Sequence, residues 1–217
     1  MNTKRILFWG GFVIILILII WGLIVSMGRE AGTLNKAGTP SPVTTSDHFK
    51  GDVDAPITII EYSDFQCPAC QIYYYVVEKL IASSTVPIKF VYRHFPLDQH
   101  KNAVSAALAS EASAEQGKFW EMSALLFENQ TDWAEESDPN PIFLSYASQV
   151  GLDIEKFKID MASTSLKKKI TDSADEGFKI GINSTPTFFV NGKVIDNPQG
   201  YEAFKTLIET TAQQSSN

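Results

Sequence analysis

The sequence predicts an α/β domain: a mixed β-sheet with helices on both sides. Three observations predict it. An apolar run, Ile57 to Tyr62, leads into Cys67-Pro68-Ala69-Cys70 and a helical pattern from Gln71, after which a second strand pattern covers Ile88 to Phe95. From Asn102 to Ile180 the apolar periodicity is helical. Two short strand patterns, Thr187 to Val190 and Lys193 to Ile195, then flank the hairpin dipeptide Asn191-Gly192 and precede a last amphipathic stretch, Tyr201 to Thr210. A β-α-β unit crosses right-handed with parallel strands, and a terminal hairpin adds antiparallel ones.

Taken in order, the chain begins with a membrane signal. Lys4 and Arg5 precede Ile6 to Met27, which contains no charge. At 1.5 Å per residue those residues reach about 33 Å, enough for a hydrocarbon core of roughly 30 Å. A cleaved secretory signal is the alternative, but its apolar region is normally shorter, and Ser26-Met27-Gly28 is a weak cleavage site. The expectation is a cytoplasmic N-terminus at 1–5, an uncleaved single-pass anchor at 6–27 and an exported remainder. The first 27 residues hold two basic and no acidic residues, so residues 28–217 have 16 basic and 25 acidic ones, a net of −9. That charge argues against nucleic acid or an anionic surface as partner.

Residues 28–50 are rich in Gly, Thr, Ser and Pro without a period and read as a flexible tether, with no role for His48. Strand Ile57 to Tyr62 carries Glu61, and a carboxylate ending a buried strand is expensive without a task or a partner. A solvated edge position is the other reading. Helix Gln71 to Ser83 sets Tyr73, Val76, Val77, Leu80 and Ile81 on one side. Helical patterns recur at Ala103 to Gln116, Phe119 to Asn129, Ile142 to Val150, Ile154 to Ala162 and Ser165 to Ile180, with an acidic loop at Glu135 to Pro141. Lys167 to Lys169 reads as a solvated face, and 213–217 as a disordered tail.

Cys67 and Cys70 are the two cysteines of the chain. Three apart on a helix they share one face, which suits a reversible dithiol and disulfide pair. Pro68 falls at the first helical position, where its missing N–H costs nothing. Cys67 therefore sits at the helix N-terminus, where free N–H groups and the macrodipole favour thiolate, and Cys70, a turn deeper, would be the resolving thiol. A structural zinc site wants four ligands, and two Cys with His48, His94 and His100 lack a second Cys pair. So small a ring is also a poor structural staple.

A redox pair opening a helix after a strand, with Thr185-Pro186 before a hairpin, resembles the thioredoxin fold. The details resemble the membrane-tethered bacterial DsbA-like thiol-disulfide oxidoreductases over about Gly51 to Ile208. The stretches that carry the likeness are 59–70 (IIEYSDFQCPAC), 93–97 (RHFPL) with His100, 115–122 (EQGKFWEM), 126–130 (LFENQ) and 184–192 (STPTFFVNG). The resemblance implies a thioredoxin-like domain over 51–212, interrupted by a helical insertion at about 98–180 that caps the active site. It implies a cis Thr185-Pro186 bond and substrate contacts at Pro68, Ala69, Thr185 and Pro186, with the Thr185 backbone pairing to an extended client. Glu61 would relay a proton to or from Cys70. His94 and His100 belong to the resemblance as hydrogen-bonding residues without a catalytic role.

The function so implied is donation of disulfides to exported proteins with cysteine thiols, on the outer side of the cell membrane. A quinone-linked membrane thiol oxidase would regenerate the pair, and no bound cofactor is needed. Pro-Ala between the cysteines departs from the Pro-His of strongly oxidising members, which removes a histidine that could stabilise the thiolate. A reductase or isomerase of the same fold, and a thiolate metal chaperone using Cys67 and Cys70, are the competing readings.

Overall fold

The computed structural model describes residues 37–215. The expected N-terminus 1–5, the anchor 6–27 and the first part of the tether lie outside the described residues. Among the described residues no helix is long and apolar enough to cross a membrane.

Five strands form one sheet in the order β1-β3-β2-β4-β5, where β1 is His48–Gly51, β2 Ile57–Ser63, β3 Ile88–His94, β4 Thr187–Val190 and β5 Lys193–Ile195. β2 and β3 run parallel, with Ile57 opposite Ile88 and Ser63 opposite His94. β1 pairs antiparallel with β3, β4 with β2, and β5 with β4. Successive strand residues point to opposite faces. In β2, Ile57 and Ile59 join one core cluster while Ile60 and Tyr62 join the other, so both faces of this strand are covered. Glu61 shares the face of Ile57 and Ile59 and is carried under the first helix.

That helix, α1 (Pro68–Ser83), buries Cys70, Val77 and Leu80. The insertion supplies α2 (Ala103–Ala114), α3 (Phe119–Glu128), α4 (Gln130–Trp133), α5 (Asn140–Gln149), α6 (Ile154–Met161) and α7 (Thr164–Lys179). Asp153 and Ser163 cap α6 and α7, accepting from Lys156 N–H at 3.0 Å and Leu166 N–H at 3.4 Å. α8 (Gly200–Ser215) closes the chain, and Phe204 and Ile208 enter the core beside Phe188.

Four expectations need correction. The tether does not run to Lys50, because β1 starts at His48 and residues 38–47 are tied to the domain. Arg93, 5% exposed, is the cause: its guanidinium donates to Asp47 at 2.9 Å, to the Tyr62 hydroxyl at 3.0 Å, to Glu176 at 3.2 Å and to the Ser41 carbonyl at 3.1 Å. A buried charge needs such partners, and composition cannot show that a Ser/Pro stretch supplies them. His48 is not idle: it stacks on Phe119 at 3.6 Å between centroids and bonds Glu111 Oε1 at 2.9 Å. Lys169 leaves the solvated row to pair with buried Glu111 at 2.8 Å. The tail is helical to Ser215, since α8 continues past its last apolar anchor.

Candidate active site

β2 delivers the chain to the site through a tight turn held by Asp64. Its Oδ1 accepts from Gln66 N–H at 2.8 Å, its Oδ2 from Leu97 N–H at 2.9 Å, and its carbonyl from Cys67 N–H at 3.0 Å. His100 Nδ1 lies 2.6 Å from Asp64 Oδ2, so the loop after β3 is clamped to the turn before α1. Cys67 occupies the N-cap of α1 with extended backbone, φ −72° and ψ 122°, and no side chain caps the helix. The first N–H groups of α1 are thus free to face the sulfur.

The two thiols are opposites. Cys67 is held down at about 6, first by a hydrogen bond from the Cys70 thiol, against the opposing effect of burial. The nearby Thr185 side chain and the N–H groups of Cys70 and Ala69 add to it. As a thiol, Cys67 donates to the Thr185 carbonyl at 3.4 Å. Burial pushes Cys70 well above the usual thiol range, helped by its bond to Cys67 and by the Glu61 carboxylate. The Thr185–Pro186 peptide is cis, and Pro186 is buried next to the exposed Ser184.

Glu61 is buried behind Cys70. Desolvation raises its carboxyl to about 7, although the Ser63 hydroxyl donates to Oε1 at 2.6 Å. A small cavity lined by Glu61, Lys50, Glu78, Tyr92, Trp120 and Ser123 lies beside it. Burial lowers the Lys50 ammonium to about 8, and it pairs with Glu78 over the Trp120 ring. A carboxyl at about 7 and an ammonium at about 8 both exchange protons near neutrality.

The insertion reaches the site through α4. Gln130 Nε2 donates to the Phe65 carbonyl at 2.7 Å and the Cys67 carbonyl at 3.1 Å, fixing the backbone that carries Cys67. Gln66 bridges to the Ala134 carbonyl at 2.6 Å and accepts from Asn102 N–H at 2.7 Å. Sequence reasoning gave no role to Asp64, Gln66, Lys50 or Gln130. Asp64, Gln66 and Gln130 stand inside the stretches that carry the family likeness, and a buried Gln beside a redox pair was the available signal; Lys50 had none.

This geometry suits thiol-disulfide exchange at Cys67 and Cys70. The thioredoxin family profile matches residues 43–210, and the chain belongs to that family. Oxidised BdbD from Bacillus subtilis superposes with a TM-score of 0.72 at 27% identity, covering 82% of this chain and 100% of that one. Wolbachia pipientis α-DsbA1 shares the fold, with a TM-score of 0.68 at 22% identity over 80% of this chain and 94% of its own. The fold is the thioredoxin-like α/β fold expected, and solved DsbA-type proteins share it. A relative of another kind is the Na(+)/H(+) antiporter NhaA 1 of Mycolicibacterium vanbaalenii, 42% identical over 149 residues, 67% of this chain and 23% of that protein. The chain spans about a quarter of the length of the curated relatives it matches.

Proposed function

We propose that this chain is a disulfide donor to exported proteins, anchored by residues 6–27 with its redox domain outside the cytoplasmic membrane. The observation that carries the reading is the asymmetry of the pair: a sulfur at the helix N-terminus held down at about 6 beside a fully buried one pushed far up. A stable thiolate is a good leaving group, and stabilising the reduced form makes the disulfide the stronger oxidant.

In the proposed cycle a client thiolate attacks Cys67 Sγ of the disulfide. The Cys67–Cys70 bond breaks, and its electron pair leaves on Cys70, which takes a proton from Glu61. A second client thiolate then attacks the client sulfur of the mixed disulfide and expels the Cys67 thiolate. The client loses two electrons and gains a disulfide, while the pair is left reduced. Thr185 and Pro186 would seat the client beside Cys67, with Pro68 and Ala69 forming the floor. Reoxidation would pass two electrons to a quinone-linked membrane thiol oxidase, the partner that the family resemblance implies.

The reduction potential of the full chain, equilibrated in glutathione buffers, tests this reading. A value of about −120 to −180 mV agrees with disulfide donation, whereas a value near about −270 mV would make donation unfavourable and assign the chain to the reductases.

A further inference from the structure

Among the described residues, a cluster of metal-ligating side chains lies away from Cys67. His48 from β1, His94 from the end of β3 and Glu111 from α2 bring their donor atoms within 4.8 Å of one another. His48 Nε2 and His94 Nε2 each stand 2.9 Å from the same oxygen, Glu111 Oε1. Lys169 Nζ, from α7, stands 2.8 Å from Glu111 Oε2 and 3.0 Å from His48 Nε2.

These contacts cannot all be hydrogen bonds. If His48 Nε2 carries a hydrogen, it donates to the carboxylate and faces an ammonium donor at 3.0 Å. If it carries none, it accepts from Lys169 and sets a lone pair against a carboxylate oxygen at 2.9 Å. One cation bound where the three donors converge removes the conflict, because both imidazole nitrogens and Oε1 then present lone pairs to it. Ligands of a tetrahedral zinc at about 2.0–2.1 Å stand about 3.3 Å apart, so each imidazole nitrogen needs to move about 0.4 Å from Oε1, with the two nitrogens, within 4.8 Å of one another, settling at the same spacing. Lys169 is the cation set against this cluster, and it can withdraw, since its side chain is 38% exposed.

We propose that His48, His94 and Glu111 bind one divalent transition-metal cation of the zinc class. Two imidazoles and one carboxylate select such an ion over calcium or magnesium, which take oxygen donors. Three protein ligands leave a fourth position, which opens into a pocket of about 470 Å³ whose lining includes Asp47, Arg93, Lys168, Asp172 and Glu176. The ion would join β1 and β3 of the sheet to α2 of the insertion. This proposal stands on a different cluster from the disulfide-donor reading and does not depend on it.

The test is a titration of the full chain with Co2+ after chelator treatment, with Cys67 and Cys70 oxidised so that no thiolate can compete. The expected result is visible d–d absorption saturating at one equivalent and abolished by one equivalent of Zn2+. Lys169→Met should tighten binding at least tenfold, because no ammonium must leave, and His48→Ala and His94→Ala should weaken it at least tenfold. A chain that gives no saturable band even as Lys169→Met, a band that survives in the folded histidine variants, or preferential binding of Ca2+ would each overturn the site. The Lys169 variant keeps the proposal testable if a histidine variant does not fold.

Discussion

Replacing Cys70 by Ala probes the feature on which the proposed direction of the redox chemistry depends. The strongest influence lowering the Cys67 thiol to about 6 is the hydrogen bond from Cys70. A hydrogen bond to a charged group contributes roughly 1.5–3 kcal/mol. At 1.36 kcal/mol per unit, its loss moves the Cys67 titration up by about 1 to 2 units, to about 7 to 8. Thiolate absorbance of the reduced protein against pH reads this directly, since Cys70 stays protonated through that range in the parent. At pH 7 the thiolate fraction should fall from about nine-tenths to between about one-half and one-tenth. A midpoint left at about 6 would refute the reasoning and assign the thiolate to the helix N-terminus and Thr185 alone. The same shift enters stability. The folded-state value is depressed, so the reduced protein gains stability as pH rises from about 6 toward 9 and loses it as pH falls through about 6. At pH 7 the gain is about 1.4 kcal/mol, cut to roughly half by solvent screening of the partly solvated sulfur.

Three further outcomes are expected. Glu61 has the opposite sign: its raised carboxyl is neutral below about 4.5 in both folded and unfolded chains, and burial makes its ionisation cost stability as pH rises toward and past 7. Glu61→Gln should therefore stabilise the protein by about 3 kcal/mol at pH 8 and by little near pH 4, and should slow thiol exchange at Cys70; denaturant midpoints at the two pH values decide the first point, and a destabilised variant at pH 8 contradicts it. Gly177→Ala should destabilise despite the better helix former, because a Cβ there would stand 2.6 Å from two ring carbons of fully buried Phe95. A loss of about 1–3 kcal/mol is expected, and a raised melting temperature would show that the ring yields freely. Arg93→Ala strands Asp47 and Glu176 and should cost about 3–5 kcal/mol, with amides of 38–47 losing exchange protection before the sheet does; uniform loss across the domain would count against Arg93 as the clamp of that segment.

Much of this protein is dictated by local pattern. Period-2 and period-3.6 apolar spacing marked β2, α1, β3, β4 and the helices of the insertion to within a few residues, because those elements bury a face whose spacing is written into the chain. The pair at 67 and 70 was legible for the same kind of reason, since the helix that begins at Pro68 fixes which sulfur stands at its end. Strand β1 was not legible. Its four residues alternate between half-buried and exposed, and it is a strand because β3 offers an edge to pair with. Helix α4 has four residues, too few for any period, and is held by Gln130 on the Phe65 and Cys67 carbonyls and by the fully buried Trp133.

The site divides along the same line. The sequence by itself determined the two cysteines, their order and the strand-to-helix turn that sets Cys67 at a helix N-terminus, all of which lie within a dozen residues. Only the tertiary structure decided the rest: that Glu61 and Lys50 meet across one cavity, that Thr185 faces Cys67 from 118 residues away, and that His48, His94 and Glu111 converge where sheet and insertion join. Charges and donors distant in the chain acquire their chemistry from burial and from one another, and neither is a property of local spacing.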